Sequence, residues 1–553
     1  MGDESFIVQC DSFVFSKEIR ISYCVTDGLP GKLNYGSNIG LHFGSYEILN
    51  QLGYAFLHPL EPILPPSIIF PKVAINVAEK PYWESRGVHI HSMHPLELTN
   101  LLNGFGEQLS TDQDKWEIMI PYFNYFIEWM IANKQNSFEW VLLYASDWSD
   151  FANSTTRQNR LKILNEKAHK WGIITGADIP IAEQQQHSWY MTTNEGTLEE
   201  QLDKIYNRID WIVTAGFDFL SSESGFSEFT HPSDIQMLSW MNHSAIYISE
   251  KYNKKMYIKC HCSTGQTCEH YKDPFNTSLP LNFNELPYYA DMSLGIYPHT
   301  VQLYTFFDPT AGTYGNTNFT YMFNFTVLEA KKGRDTIYHG ETAYWVNYDI
   351  NVPLFLPSYA YARIFDMKII AQTEIEFDFK LKGQMNFNSG WEWSYWLNDV
   401  LTAQVSWNPL NSLSVDDTLS FYLNKITSIF GIHSNEISNI LFDLIQFQRE
   451  TFIYGKINGE IPSEIIKRNG MAYLAGWDTW SDIGCDFSTM SCTQPTKLGL
   501  DQLRLPFQVP NYDKYVRPLL LEITQKLDGY RLQLNQYSDT IPSNSAKFYN
   551  EIT

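Results

Sequence analysis

Between Trp83 and about residue 408, short apolar or aromatic runs alternate with polar loops and with longer stretches whose apolar residues recur every three to four positions. Eight such runs stand out: Gly87 to His91, Phe138 to Tyr144, Gly172 to Ala177, Phe217 to Ser221, Lys255 to His261, Thr300 to Phe306, Asp335 to His339 and Gln384 to Trp393. Successive runs lie roughly 35 to 50 residues apart, the length of a strand, a helix and their loops. Amphipathic helices are predicted between them over Asp114 to Lys134, Leu198 to Ala215 after Thr197, and Ser233 to Tyr252. Eight βα units predict an α/β fold with a (β/α)8 TIM barrel over residues 83–408. A doubly wound sheet fits less well, because no Gly-rich phosphate turn follows any strand.

The flanks read differently. Residues 1–82 alternate strand-like runs (Phe6 to Val8, Ile19 to Cys24) with a helical stretch from Phe43 to Leu52, and they close on Pro59, Pro62, Pro65 and Pro66. This predicts a small N-terminal α/β domain and a linker. Residues 409–553 are mostly helical in pattern, with a capping-box-like start at Ser414-Val-Asp-Asp417 and an apolar-periodic stretch from Ile437 to Gln448. The aromatic segment Gly476 to Trp480 either reaches the barrel mouth or packs an interdomain seam.

Composition narrows the function. With 44% apolar, 15% aromatic and 18% charged residues in 553, the chain is globular, and no apolar run approaches the roughly 20 residues of a membrane span. A charge of −23, from 39 basic and 62 acidic residues, argues against nucleic acid, which needs clustered Lys and Arg. A neutral polar ligand fits better. Seven cysteines are too few and odd in number for a disulfide scaffold; Cys485 and Cys492 are close enough in sequence to bridge, and Cys260, Cys262 and Cys268 match no paired zinc spacing. The start lacks a signal peptide, so a cytoplasmic or a mature secreted chain is expected, and sequons at Asn153, Asn242, Asn276, Asn318 and Asn324 are compatible with secretion.

In a (β/α)8 barrel the reactive groups sit at the C-terminal ends of the strands. Here the first run ends with His89, His91 and His94; the fourth with Ser222-Glu223, and Glu228 and His231 follow; the fifth with Lys259-Cys260-His261. The sixth contains His299 and Gln302, the seventh ends His339-Gly340-Glu341, and the eighth gives Trp391-Glu392-Trp393. Glycosidic cleavage needs two carboxyl groups flanking the anomeric carbon, one protonated and one ionised, and Glu223 and Glu341 are the expected pair. Glu223, among Ser and Gly, is expected to be the protonated acid; Glu341, beside His339, Tyr338 and Tyr344, is expected to be ionised. Tyr344, Trp345, Trp391 and Trp393 supply flat faces on which a sugar stacks, and Glu392 joins them at the rim. The imidazoles of His89, His91, His94, His261 and His299, with Gln302, are assigned to substrate hydroxyls or to hydrogen bonds that orient the carboxylates. No metal or cofactor is required by this reading.

The segment Gly44 to Pro59, followed by Trp83-Glu-Ser-Arg-Gly-Val-His-Ile-His91, resembles the junction in glycoside hydrolases of the β-hexosaminidase and α-glucuronidase type, where a small α/β domain precedes the barrel and an Arg-Gly pair opens its first strand. The resemblance implies a barrel hydrolase of O-glycosidic bonds. It departs where hexosaminidases carry Asp before the acidic Glu and this chain has Ser222. Strand positions imply instead the retaining pattern, with a strand-four Glu as acid/base and a strand-seven Glu as nucleophile. A metal-dependent amidohydrolase is the rival, since such barrels bear His-x-His on strand one and single His ligands after strands five and six, where this chain has His89, His91, His261 and His299. Against it, no bridging Lys follows strand four and no Asp closes strand eight. A barrel that binds carbohydrate without cleaving it is the remaining alternative.

Overall fold

A computed structural model describes residues 6–10, 20–22, 39–65, 67, 75–91, 98–144, 149–182, 188–223, 232–310, 316–343, 355–388, 393–454, 485–486, 491–492 and 512–553. Its centre is a closed barrel of eight parallel strands. In chain order these are β1 (Ser85–Ile90), β2 (Ser137–Val141), β3 (Ile174–Asp178), β4 (Phe219–Glu223), β5 (Lys255–Cys260), β6 (Leu294–Thr300), β7 (Ile337–Gly340) and β8 (Gly383–Asn388). The barrel closes through β8 on β1, with Met385 opposite Gly87 and Phe387 opposite His89.

Side chains alternate across each strand, which separates two cores. Val88, Ile90, Phe138, Trp140, Leu220, Ile258 and Ile296 face outward into the apolar layer shared with the helices. The inward set begins with a small plug of Phe219, Tyr257, Tyr297, Ile337 and Met385, packed on Ile174. Glycine makes room for it: a Cβ on Gly176 would lie 2.1 Å from the Phe219 ring, and one on Gly295 would lie 2.4 Å from Tyr257. One step of two residues further toward the C-terminal ends, the inward positions turn polar. That change of chemistry along the strands places the site.

The three predicted helices are present, one of them divided, and a 3-10 helix, Phe283–Tyr289, stands between β5 and β6 where an α-helix is expected. Leu198–Thr214 starts on a full capping box between Thr197 and Glu200, and Asp234–Tyr252 starts on Ser233. The stretch expected as one helix from Asp114 to Lys134 is two, Gln113–Glu117 and Ile120–Ala132. Pro121 has no N–H for the carbonyl four residues earlier, so the chain must break there. The sixth strand also differs: it runs over Leu294–Thr300, not Thr300 to Phe306. Gly295 and Pro298 disguise it in sequence. Pairing with β7 is made at Ile296 with Thr336 and resumes at His299 with His339, and the gap falls at Pro298, which has no N–H to donate.

Ahead of the barrel, Phe6–Cys10 pairs antiparallel with Arg20–Ser22 and Ile75–Glu79 to make a three-stranded sheet. The helix Ile39–Gln51 joins this sheet to the barrel flank, where Phe43 packs on Trp407 and Tyr46 on Trp171. After the helix that follows β8, Trp396–Trp407, come helices Val415–Thr427, Ser434–Gln448, Tyr512–Asn535 and Ala546–Ile552. Ser414 caps the first of these by accepting from the Asp417 N–H at 3.1 Å. Cys485 stands opposite Cys492 in a short antiparallel pair, while Cys260, Cys262 and Cys268 are buried free thiols. Gly476 to Trp480 lie outside the described residues. Among the described residues no helix is long and apolar enough to cross a membrane.

Candidate active site

Above the apolar plug the inward positions of seven strands carry ionisable side chains. His89 of β1, Glu139 of β2, Asp178 of β3, Glu223 of β4, Lys259 of β5, His299 of β6 and His339 of β7 are all inside the barrel, and Glu341 follows β7 by one residue. Buried charges must be paired or hydrogen-bonded, and these are. Glu139 is completely buried and accepts from His89 Nδ1 at 3.1 Å, from Tyr297 OH at 3.0 Å and from the Ser221 hydroxyl. Lys259 stands between two carboxylates, with Nζ 3.5 Å from Glu223 Oε2 and 4.0 Å from Asp178 Oδ2. His89 Nε2 approaches Asp178 from the other side at 3.8 Å.

Hydrogen bonds to main-chain atoms settle which nitrogens carry protons. His299 Nδ1 lies 3.0 Å from the His339 carbonyl, and His339 Nδ1 lies 2.7 Å from the Met385 carbonyl. Carbonyls only accept, so both rings hold their proton on Nδ1. His261 is the opposite tautomer, because its Nδ1 accepts from the Ser263 N–H at 3.1 Å. Burial pushes His261 down to about 4 and His299 down to about 3, and it holds His339 well below the usual imidazole range. All three are neutral at pH 7. His299 Nε2, left bare, faces Glu341 Oε1 at 3.4 Å.

The two expected catalytic carboxyls lie in this polar layer, but their charges run opposite to expectation. Burial pushes Glu341 up to about 7, more than the Gln302 N–H and the Arg363 guanidinium pull it down. For Glu223 burial acts upward too, yet the opposing pull, led by the charge of the Lys259 ammonium, outweighs it and holds the carboxyl below the usual range. The basic partner of Glu223 comes from the next strand, where Glu223 and Lys259 are directly opposite in register. Asp178 is pushed up to about 6 by burial, against the pull of Lys259 and His89.

The remaining expected residues divide. His91 is buried against Phe387 at 4.8 Å, and His261 and His299 are neighbours at 5.5 Å. His89 is fully buried, and its Nδ1 lies 3.1 Å from Glu139 Oε1. Gln302 acts through its main chain: held at φ 55, it donates its N–H to Glu341 Oε2. Trp393 is surrounded by residues of the chain's two ends. Its ring stacks on His58 at 3.8 Å and 9°, Lys547 Nζ sits 3.9 Å from its centroid, and Phe548 packs at its edge. It belongs to the seam with the N- and C-terminal parts. His94, Glu228, His231, Tyr344, Trp345, Trp391 and Glu392 lie outside the described residues.

Glu139, Asp178 and Lys259 were not singled out from sequence. The available signal was a charged residue at an inward, alternate position of an otherwise apolar run, as in Phe138-Glu139-Trp140 and Tyr257-Ile258-Lys259. Among the described residues, His89, Glu139 and Asp178 are the one group whose donor atoms lie within 4.8 Å of one another in a way that suits a metal ion. Their chemistry fits an ion network better. Glu139 already accepts three hydrogen bonds, and the Lys259 ammonium supplies the positive charge beside Asp178. His261 and His299, expected ligands under the amidohydrolase reading, do not join that group.

No protein-family model and no curated protein matches the sequence. Solved structures do resemble the fold. A structure described as a GH138 enzyme targeting pectin rhamnogalacturonan II is similar with a TM-score of 0.53 at 10% identity, over 99% of this chain and 61% of that one. CpGH89 from Clostridium perfringens, in complex with its substrate GlcNAc-alpha-1,4-galactose, is similar with a TM-score of 0.49 at 12% identity, over 99% and 60%. The chitobiase of Flavobacterium johnsoniae is similar with a TM-score of 0.47 at 12% identity, over 100% and 79%. The chain thus spans about three fifths of the first two. At these identities the likeness shows a shared fold: a (β/α)8 barrel of the kind that glycoside hydrolases use.

Proposed function

We propose that this protein is a glycoside hydrolase that cleaves O-glycosidic bonds of an oligo- or polysaccharide with Glu223 and Glu341. The observation that carries this reading is a pair of carboxyls in one polar layer, three strands apart, whose surroundings drive their protonation in opposite directions. Two titratable groups pushed apart are what acid/base assignment requires. Both act on the same imidazole, His261, which couples them to one reacting centre. Glu341, protonated near neutrality, donates its proton to the glycosidic oxygen as the C–O bond breaks. Glu223, ionised beside Lys259, meets the positive charge that develops at the anomeric carbon, either directly or through a water it deprotonates. His261 offers an Nε2–H donor between them.

Sugar chemistry is also favoured by the fold shared with the GH138 enzyme, whose described target is a pectic polysaccharide. The metal-dependent alternative is less well supported, because His261 and His299 do not join His89 in a group of possible ligands among the described residues. Incubation with a panel of plant and animal polysaccharides and aryl glycosides, read by release of reducing ends, tests the proposal. Turnover by the wild type, lost in Glu223→Gln and in Glu341→Gln, supports it. Glycan binding without any release of reducing ends overturns it in favour of a non-catalytic carbohydrate-binding barrel.

A further inference from the structure

In the proposed mechanism Glu223 and Glu341 handle the reacting atoms, and Lys259 enters only as the charge beside Glu223. Its position is unusual for a lysine. The side chain is only 6% exposed, on the inner face of a barrel strand, and it is directly opposite Glu223 in the register of β4 and β5. One ammonium spans two carboxylates from two different strands, nearer to Glu223 than to Asp178. A single positive charge cannot neutralise two anions, so the closer one keeps its charge and the other becomes the group that takes up a proton.

We propose that Lys259 is a positioning residue that holds Glu223 as the ionised carboxyl of the resting site and leaves Asp178 as the carboxyl that takes up a proton first as pH falls. The role in turnover rests on the glycosidase reading; the charge assignment does not. The groups that face the ammonium are Glu139 from β2, Asp178 from β3, Glu223 from β4, His261 beyond its own strand, His299 from β6, and His339 and Glu341 from β7. His89 of β1 reaches Asp178 from the far side. The three imidazoles nearest the ammonium, His261, His299 and His339, are neutral at pH 7 by the tautomers and burial described above. Lys259 is therefore the cation that sets the balance between Glu223 and Asp178.

The test needs no substrate. Carbon-13 NMR titration of side-chain carboxyls follows each group, with Glu223 identified by its loss in Glu223→Gln and Asp178 by its loss in Asp178→Asn. In the wild type, Glu223 is expected to titrate below an ordinary glutamate and Asp178 above an ordinary aspartate. In Lys259→Met the Glu223 signal is expected to titrate higher by on the order of one unit or more. Lys259→Arg, which keeps the charge, is expected to bring it back. Lys259→Gln keeps a donor without charge and serves the same purpose if the Met variant does not fold. A Glu223 signal unmoved by both neutral substitutions overturns the proposal, whether or not the enzyme is active. With an active wild type, the neutral variants raise the acidic limb of the kcat/KM profile and Lys259→Arg does not. If no glycoside is turned over but the signals move as stated, the glycosidase reading fails and the charge assignment stands.

Discussion

His299 and Glu341 face one another with Nε2 3.4 Å from Oε1, and the far side of the imidazole decides where the proton between them resides. Because His299 Nδ1 donates to the His339 carbonyl, its Nε2 presents a lone pair. A carboxylate there would be repelled by that lone pair, whereas a protonated carboxyl would not. Burial raises Glu341 in the same direction. The tautomer of His299 and the burial of Glu341 thus both favour a protonated Glu341 carboxyl.

The alkaline limb of the activity profile follows from this. In the proposed mechanism Glu341 acts in its protonated form, and burial pushes its carboxyl up to about 7, so kcat/KM is expected to fall as pH rises through about 7. An alkaline limb set above pH 9 in a wild-type pH–rate measurement would show that some other group supplies the proton.

Leaving-group dependence separates the two carboxyls. Glu341→Gln is expected to lose glycosides with poor leaving groups by about 100-fold or more and to spare activated aryl glycosides, which leave without a proton. Glu223→Gln is expected to lose both. The reverse pattern in aryl glycoside kinetics would return the acid role to Glu223.

Alkaline stability carries the same signature. A carboxyl whose folded pKa is raised favours the fold while protonated, and this contribution is lost as pH climbs from the unfolded value through the folded one. For Glu341 the window runs from 4.5 to about 7. Glu341→Gln, which cannot ionise, is expected to be more stable than the wild type at pH 8 by about 1 to 3 kcal/mol, with the gap closing below pH 5. Urea midpoints at both pH values measure it, and an equal difference at the two would contradict the raised pKa.

Much of the architecture was legible because burial on both faces leaves a strong mark. Runs such as Phe138-Glu139-Trp140-Val141 between amphipathic helices can only be strands of an enclosed parallel sheet. The sixth strand was missed because Gly295 and Pro298 look like breakers, although one accommodates Tyr257 and the other falls in a gap of the ladder. Glu223 and Glu341 were legible as polar residues closing strands. Their charges were not, since the residue that decides Glu223 lies 36 positions away and becomes its neighbour only through strand pairing. Trp393 looked like a rim aromatic for a similar reason: His58, which covers it, belongs to the N-terminal part.

Arg363 is the strut behind Glu341. Fully buried, it donates to the carbonyls of Thr300 and Glu341 at 3.3 and 3.2 Å and to that of Tyr304, and it pairs with Asp366 at 3.4 Å. Arg363→Leu leaves those carbonyls without this donor and a buried carboxyl without its cation, which costs about 3 to 5 kcal/mol. A denaturation midpoint within about 1 kcal/mol of wild type would mean the pair is dispensable.

Two glycines should respond to alanine with opposite signs. At Gly176 the added Cβ would fall 2.1 Å from the Phe219 ring, inside the plug that also holds Tyr257, Tyr297, Ile337 and Met385. That ring has no open side to move into, so Gly176→Ala is expected to destabilise by about 1 to 3 kcal/mol through overpacking. Gly529 lies within the helix Tyr512–Asn535, and a Cβ there would meet nothing within 4 Å. Gly529→Ala removes the helix-interior penalty of glycine and is expected to stabilise by about 0.5 to 1 kcal/mol. Because Gly176 lies two residues before Asp178 on β3, its substitution should also displace that carboxyl and reduce turnover, whereas Gly529→Ala should leave kcat unchanged. Equal melting shifts of the same sign in calorimetry would contradict the packing of the barrel interior described above.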